Sequence, residues 1–356
     1  MTLIEARAPG KLLLLGEYAV LAGAHAWVMA VDRDVHVRLE ATERDDTTLS
    51  APQLGIENES VRLDDPRLQA TAGIIDRLGL TARLLPLLVR ELAINPARLA
   101  GLAITIDSAA LFETGATGPV KLGLGSSAAV TAALVVAFES WAGEPGSDDD
   151  DRPVQRLRRW LPIYRQALAS AASGADLAAA LAGGLHAFRD ADAGPELSPL
   201  HWPEALHAQP VWVGNAAQTT DFVRAFSAWR QTRPESSARL LDAMAVLTRP
   251  DAGDDAPAWL ARAKAYLDHL RLLEQAIGRP ILTAPHQSLA RAGQACGVVY
   301  KSCGAGGGDF GIALADDPDR LQEFTARARA LGANPLQLRV KRPGASCCAP
   351  AGSFDR

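Results

Sequence analysis

The spacing of apolar residues changes period several times along the chain, and each change marks an element. KLLLLGEY (11–18) is a short continuous apolar run ending in Gly16 and Glu17, the pattern of a strand entering a turn. After Gly23, AWVMAVDRDVHVRLEAT (26–42) closes in strict alternation at Val35, Val37 and Leu39, which predicts a strand with one buried face. Residues 66–94 carry leucines at helical spacing, LAITIDSA (102–109) alternates again, and the Gly/Thr/Pro-rich stretch 111–122 reads as a loop. AAVTAALVVAFESWAG (128–143) is apolar nearly all round and predicts a buried helix.

Further on, GEPGSDDDDRP (143–153) is polar. Its run of aspartates reads as a solvated connection, because nothing there resembles a calcium loop. A helix carrying RLRRW follows, then the small-residue stretch SAASGADLAAALAGG (170–184). DADAGPELSP (190–199) has the composition of a domain boundary. VWVGN (211–215) predicts a strand, residues 221–295 are largely helical, and a glycine cluster, KSCGAGGGDFGIAL (301–314), stands near the end. No internal repeat is present, and 356 residues exceed one ordinary core, so two domains are expected.

Composition narrows the function classes. A net charge of −5 argues against a broad basic surface, so nucleic acid is not an expected partner, while a local basic pocket for a small anion stays open. No run reaches the ~18 apolar residues of a membrane helix, and MTLIEARAPGK lacks a signal peptide's basic start, which predicts a cytoplasmic protein without a membrane partner. Cys296, Cys303, Cys347 and Cys348 form no C-x-x-C and read as reduced thiols rather than a disulfide or zinc scaffold.

Four segments carry candidate chemistry. In KLGLGSSAAVT (121–131), Gly123 and Gly125 would let backbone N–H groups approach phosphate oxygens, and a helix start follows. Ser126 and Ser127 would offer hydroxyls to phosphate or to Mg2+. The same residues fit a dinucleotide fingerprint, which would need a strand immediately before Gly123 and an acid about 20 residues on. A plain helix-start loop is the third reading. The loop Gly304-Ala305-Gly306-Gly307-Gly308-Asp309 costs folding entropy, so it must pass close to a ligand or to another backbone. Ser173-Gly-Ala-Asp176 reads either as a capping box, with Ser173 at the N-cap and Asp176 at N3, or as a catalytic group. Lys11 is either a lysine at a strand edge or a cation aimed at a site.

Three of these stretches, APGKLLLLGEYAVL (8–21), KLGLGSSAAVT (121–131) and KSCGAGGGDFGIAL (301–314), span nearly the whole chain in order. Together they resemble the GHMP kinases, the kinases of galactose, homoserine, mevalonate and phosphomevalonate. With that resemblance the dinucleotide reading falls, as does a capping-only role for Asp176. It implies an α/β (α+β) two-domain fold. Residues 1–190 would form a domain like the second domain of ribosomal protein S5, with the phosphate loop. Residues 191–356 would form a ferredoxin-like domain with the glycine loop.

Within the superfamily the details are similar to phosphomevalonate kinases: Tyr18 in GEY, Lys121 before the loop glycines, Asp309 after the second glycine run, and SGADLAAALAGG (173–184). GNAAQTTDFV (214–223) is similar to a threonine-bearing segment of that branch, with Thr219 at its final threonine. Departures are Val213, Gln218 and Cys303, and the run YRQALAS (164–170), where Arg165 stands at a position that holds a magnesium-binding glutamate in mevalonate kinases.

The resemblance implies transfer of the γ-phosphate of ATP to (R)-5-phosphomevalonate. Lys11, Asp176 and Ser127 would be catalytic, with Ser127 also on Mg2+. Lys121, Gly123, Leu124, Gly125, Ser126, Ser127 and Ala128 would hold ATP. Tyr18, Ser173, Thr219, Lys301, Gly304, Ala305, Gly306, Gly307 and Asp309 would face the acceptor. The protein would act as a monomer or homodimer. Mevalonate kinase or another small-molecule kinase of the superfamily is the rival enzyme, and a degenerate nucleotide-binding protein is the rival without turnover.

Overall fold

The two apolar runs at the start of the chain pair with each other. In the computed structural model, described for residues 2–63, 67–71, 73–115, 118–144, 152–170, 172–214 and 219–348, β1 (Leu3–Leu15) and β2 (Ala26–Ala41) are antiparallel, with Leu3 opposite Glu40 and Leu15 opposite Trp27. The register shifts between Pro9 and Gly10, because proline cannot donate to the ladder. Beyond Asp34 on β2, Val35, Val37 and Leu39 point inward while His36, Arg38 and Glu40 point away, as the alternation predicts.

Four more strands extend this sheet. β5 (Leu102–Asp107) is antiparallel to β2, β3 (Thr47–Ala51) is parallel to β5, and β4 (Ile56–Val61) closes the edge. β14 (Ser346–Cys348) pairs on the far side of β1. β8 (Leu185–Ala191) pairs with the start of β2 and carries β9 (Gly194–Pro199). The segment 190–199, linker-like by composition, is therefore the turn and second strand of a hairpin in the first sheet.

The helices α1 (Ile74–Leu78), α2 (Leu80–Glu91), α3 (Ser126–Ala142), α4 (Arg152–Leu168) and α5 (Ala175–Ala182) belong to this half. α3 and α5 lie directly on β1 and β2, and α3 is apolar on every side, as expected, because it is sandwiched between them and α2. The helix expected over 66–94 starts at Ile74 and breaks at Gly79, whose φ of 54° is left-handed. Residues 111–122, expected as a loop, form the hairpin β6 (Phe112–Gly115) and β7 (Gly118–Lys121). The aspartates 148–151 lie outside the described residues.

The second half follows a β-α-β-β-α-β order. β10 (His207–Trp212) leads into α6 (Thr219–Thr232), α7 (Pro234–Leu247), α8 (Ala256–Ile277) and α9 (Ala284–Cys296). β11 (Val299–Cys303) and β12 (Phe310–Ala315) form a hairpin, and α10 (Pro318–Ala330) and β13 (Asn334–Pro335) complete the unit. The antiparallel sheet runs β11-β12-β10-β13, the ferredoxin-like arrangement.

The halves share a core. The Trp27 indole donates to the Thr248 carbonyl at 2.8 Å and packs against Trp259, tilted by 51°, at 4.6 Å between ring centres. The Tyr266 hydroxyl donates to the Glu17 carbonyl at 2.7 Å. The chain's end returns to the first half, with Ala345 N donating to Ala180 O at 2.8 Å. Among the described residues no helix is long and apolar enough to cross a membrane.

Candidate active site

The hairpin β6–β7 delivers the chain to the 121–131 loop. Leu122 and Leu124 are buried, and Leu122 N donates to Leu111 O at 3.0 Å, so the loop is anchored through its leucines. Gly123 and Gly125 lie between these anchors at φ 78° and 75°, in the left-handed region that glycine enters without penalty. Gly125 is the N-cap of α3. The N–H groups of Ser126, Ser127 and Ala128 open that helix without intrahelical acceptors, at its positive dipole end. Ser127 is exposed, Ser126 half-buried, Ala128 fully buried against the sheet, and Lys121 exposed beside the loop. A strand does precede Gly123, but it belongs to a two-stranded antiparallel hairpin, so no βαβ dinucleotide unit exists here.

Two residues of opposite charge close on this loop from different sheets. Lys11 N donates to Leu124 O at 2.8 Å, which fixes β1 against the loop. A Cβ on Gly125 would lie 2.9 Å from Cγ of Lys11, so the lysine stem occupies the space that the glycine leaves. A Cβ on Gly123 would lie 2.2 Å from the carboxyl carbon of Asp309, at the end of the second glycine loop. A charged side chain thus lies across each glycine of the first loop.

The second loop is held largely by protein. A Cβ on Gly306 would meet the Ile281 carbonyl oxygen at 2.6 Å, and one on Gly307 would meet the Phe222 ring at 2.5 Å. Packing against the Ile281 backbone and the Phe222 ring therefore accounts for these two glycines, whereas Gly304 faces open space. The buried His286 ring reaches the Gly308 carbonyl at 3.1 Å through Nε2 and the Tyr300 hydroxyl at 2.9 Å through Nδ1. The carbonyl can only accept, so Nε2 carries the proton and Nδ1 accepts from Tyr300. Burial lowers the His286 pKa and keeps the ring neutral.

Two residues expected at the acceptor serve the scaffold instead. The Lys301 ammonium is fully buried, pairs with Glu17, and donates to the Ser302 carbonyl at 2.6 Å. It has no surface to offer a substrate. The Tyr18 hydroxyl donates to the Ala305 carbonyl, and its ring packs 5.1 Å from Phe226. Burial pushes the Tyr18 phenol well above its ordinary pKa, so it remains a donor. Tyr18 ties the glycine loop, and Lys301 ties β11, to the turn after β1, and sequence spacing gives no sign of either bond.

Asp176 is in the first turn of α5, whose N-cap is Gly174 rather than Ser173. The capping box is absent: Ser173 Oγ accepts from Ala175 N at 3.3 Å, and Asp176 Oδ1 accepts from Leu177 N at 2.9 Å. The other oxygen, Oδ2, accepts from the Tyr164 hydroxyl at 2.9 Å. Arg165 donates to the Ala172 carbonyl at 2.8 Å and the Ser173 carbonyl at 3.1 Å, and pairs with Asp190 at 2.7 Å. A cation engaged in this way does not ligate a metal. Tyr164 was hidden in the sequence because twelve residues separate it from its partner.

The structure thus brings Lys11, Gly123–Ser127 and Asp309 together. Thr219 opens α6, with a side chain outside the described residues. Backbone donors, a lysine and a serine hydroxyl at one rim suit the phosphates of a nucleotide. Among the described residues no three acidic, histidine or cysteine side chains cluster to hold a metal.

Known proteins resemble this chain in sequence and in fold. Residues 85–184 match the family model of the GHMP kinases N terminal domain. A phosphomevalonate kinase of Streptomyces sp. (strain CL190) is 29% identical over 88% of this chain and 90% of that protein. A mevalonate kinase of Pyrococcus horikoshii is 24% identical over 96% of each. The solved structure of Streptococcus pneumoniae phosphomevalonate kinase in complex with phosphomevalonate and AMPPNP superposes with a TM-score of 0.72, at 20% identity, covering 94% of this chain and 99% of that one.

Proposed function

We propose that this chain, which carries a GHMP kinase N-terminal domain and has the GHMP kinase fold, transfers the γ-phosphate of ATP to the phosphate of (R)-5-phosphomevalonate. The observation that carries the reading is the convergence of Lys11 and Asp309 on Gly125 and Gly123 at the start of α3. The resemblance to the Streptomyces enzyme along most of both chains supports the choice of acceptor.

In this reading the first half carries the phosphate loop and the second the glycine loop, with the boundary expected at 190/191 moved past Pro199 because the β8–β9 hairpin belongs to the first sheet. The backbone amides from Gly123 to Ser127 hold the β- and γ-phosphates. Ser127 would hold Mg2+, which would supply positive charge to neutralise the phosphates. Phosphoryl transfer passes through a loose transition state, so positioning and charge neutralisation dominate over base strength. Lys11 supplies positive charge between donor and acceptor. Asp176 orients the acceptor oxygen. An acceptor phosphate is already largely ionised near neutrality, so Asp176 needs to abstract little.

Mevalonate kinase is the second reading, supported by the Pyrococcus relative that matches along 96% of the chain. ADP release from ATP in the presence of mevalonate, phosphomevalonate and other small-alcohol acceptors tests the proposal. Release that depends on phosphomevalonate supports it. ATP binding without acceptor-dependent release would identify a nucleotide-binding protein that has lost turnover.

A further inference from the structure

We infer that Tyr164 is a positioning residue for Asp176, and that α4 as a whole is the platform that sets the direction of that carboxylate. The inference rests on the assignment of Asp176 to the acceptor, and takes that site one layer deeper.

α4 is firmly seated before it reaches Tyr164. Its buried face runs Leu157, Trp160, Leu161, Tyr164, at helical spacing. One turn earlier, the Trp160 indole donates to Glu139 of α3 at 2.8 Å, and Arg156 pairs with the same carboxylate at 2.6 Å. Three consecutive contacts then run from α4 to the turn before α5. Leu161 packs on Gly174, where a Cβ would lie only 2.4 Å from its methyl carbon. Arg165 holds the Ala172 and Ser173 carbonyls. Tyr164 holds Asp176 itself.

The tyrosine bond has a direct chemical consequence. A carboxylate that takes one donor on each oxygen cannot rotate about its last bond without losing one of them. Leu177 N holds Oδ1 and Tyr164 holds Oδ2, so the carboxylate plane is fixed and the remaining lone pairs have a set direction. Tyr164 is 1% exposed, so its ring is held in place by packing on α4's buried face. Burial, and then the charge of Asp176, raise the phenol's pKa well above its ordinary value, so the hydroxyl always donates. An orienting role for Asp176 requires this kind of support, because small misplacements of a positioning group cost large factors in rate.

Tyr164→Phe deletes one oxygen and keeps the ring. We expect kcat with phosphomevalonate to fall about 10-fold, with the KM for ATP unchanged and a folded protein by thermal melt. Because the hydroxyl acts through Asp176, the same change made on top of Asp176→Asn should alter kcat by less than about 2-fold. A merely structural tyrosine would lower both backgrounds by the same factor, and that result would overturn the inference, as would an unchanged kcat in the single variant. A crystal structure of Tyr164→Phe gives a reading that needs no turnover. Asp176 should lose its single orientation there, and a carboxylate left in place on Leu177 N would also overturn the proposal. Absence of turnover in the unmodified protein would instead count against the kinase reading, with the crystal structure still deciding the role of Tyr164.

Discussion

Replacing Lys301 with methionine should destabilise the protein in a pH-dependent way. Lys301 and Glu17 are both fully buried and come from opposite halves of the chain, 284 positions apart. Removing the cation leaves a carboxylate in the interior without its counter-charge, which costs about 3–5 kcal/mol in comparable sites. At ~2.1 cal/mol/K per residue, a chain of 356 residues unfolds with an entropy of ~0.75 kcal/mol/K, so the melting temperature should fall by ~4–7 °C near neutral pH. Burial already raises the Glu17 pKa above 4.5, and Lys301 opposes that rise. In Lys301→Met the opposing charge is gone, so the folded-state pKa climbs further above the unfolded value. The folded state then binds more protons than the unfolded one, and stability drops as pH rises above 4.5. Melts of the variant and the parent protein at pH 5 and pH 8 should show the larger deficit at pH 8. The double variant Glu17→Gln, Lys301→Met should recover at least half of the loss. A deficit under 1 °C at both pH values, or a larger one at pH 5, would refute this account of the pair.

The two glycine loops should respond in opposite ways. Gly125→Val places side-chain carbon against the Lys11 stem at the phosphate rim, and should abolish ATP binding in calorimetry while the fold persists. Gly306→Ala collides with the Ile281 backbone and should lower the melting temperature whether or not nucleotide is present. Asp176→Asn should cost about 1 kcal/mol of stability at most but reduce kcat by roughly 100-fold, with Lys11→Met behaving alike, as measured by single-turnover rates beside thermal melts. A large melting loss with a normal rate per folded molecule would return Asp176 to a structural role.

Much of the first half can be read from periodicity. β1, β2 and β5 announce themselves because one face of each is buried, and α3 because it is buried on all sides. β3 and β4 carry no such signal: β3 is only five residues long, and β4, at the sheet edge, carries the polar run Glu57, Asn58 and Glu59. The β6–β7 hairpin contains Pro119, and the β8–β9 hairpin turns through Asp190–Pro195, so both have loop composition while their pairing is set from outside the segment. At the site, glycine content correctly marks two loops that need close approach. What approaches them is fixed only in three dimensions. Lys11 and Asp309 meet the loop at 123–125 from far away in sequence. Ile281 and Phe222 meet the loop at 304–309 in the same way. The spacing of Ser173 and Asp176 matches a capping box, but Gly174 takes the cap because its φ of 89° turns the chain one residue later.

The acceptor tests the account most directly. Purified protein with ATP and Mg2+ is offered mevalonate and phosphomevalonate together in equal amounts, and the products are followed by phosphorus NMR. A pocket that pairs an anionic phosphate would be left with unpaired polar groups by an acceptor that lacks one. The account predicts resonances of a new diphosphate ester, with kcat/KM for phosphomevalonate at least ~100-fold above that for mevalonate. Equal or faster growth of a monophosphate ester from mevalonate would contradict it.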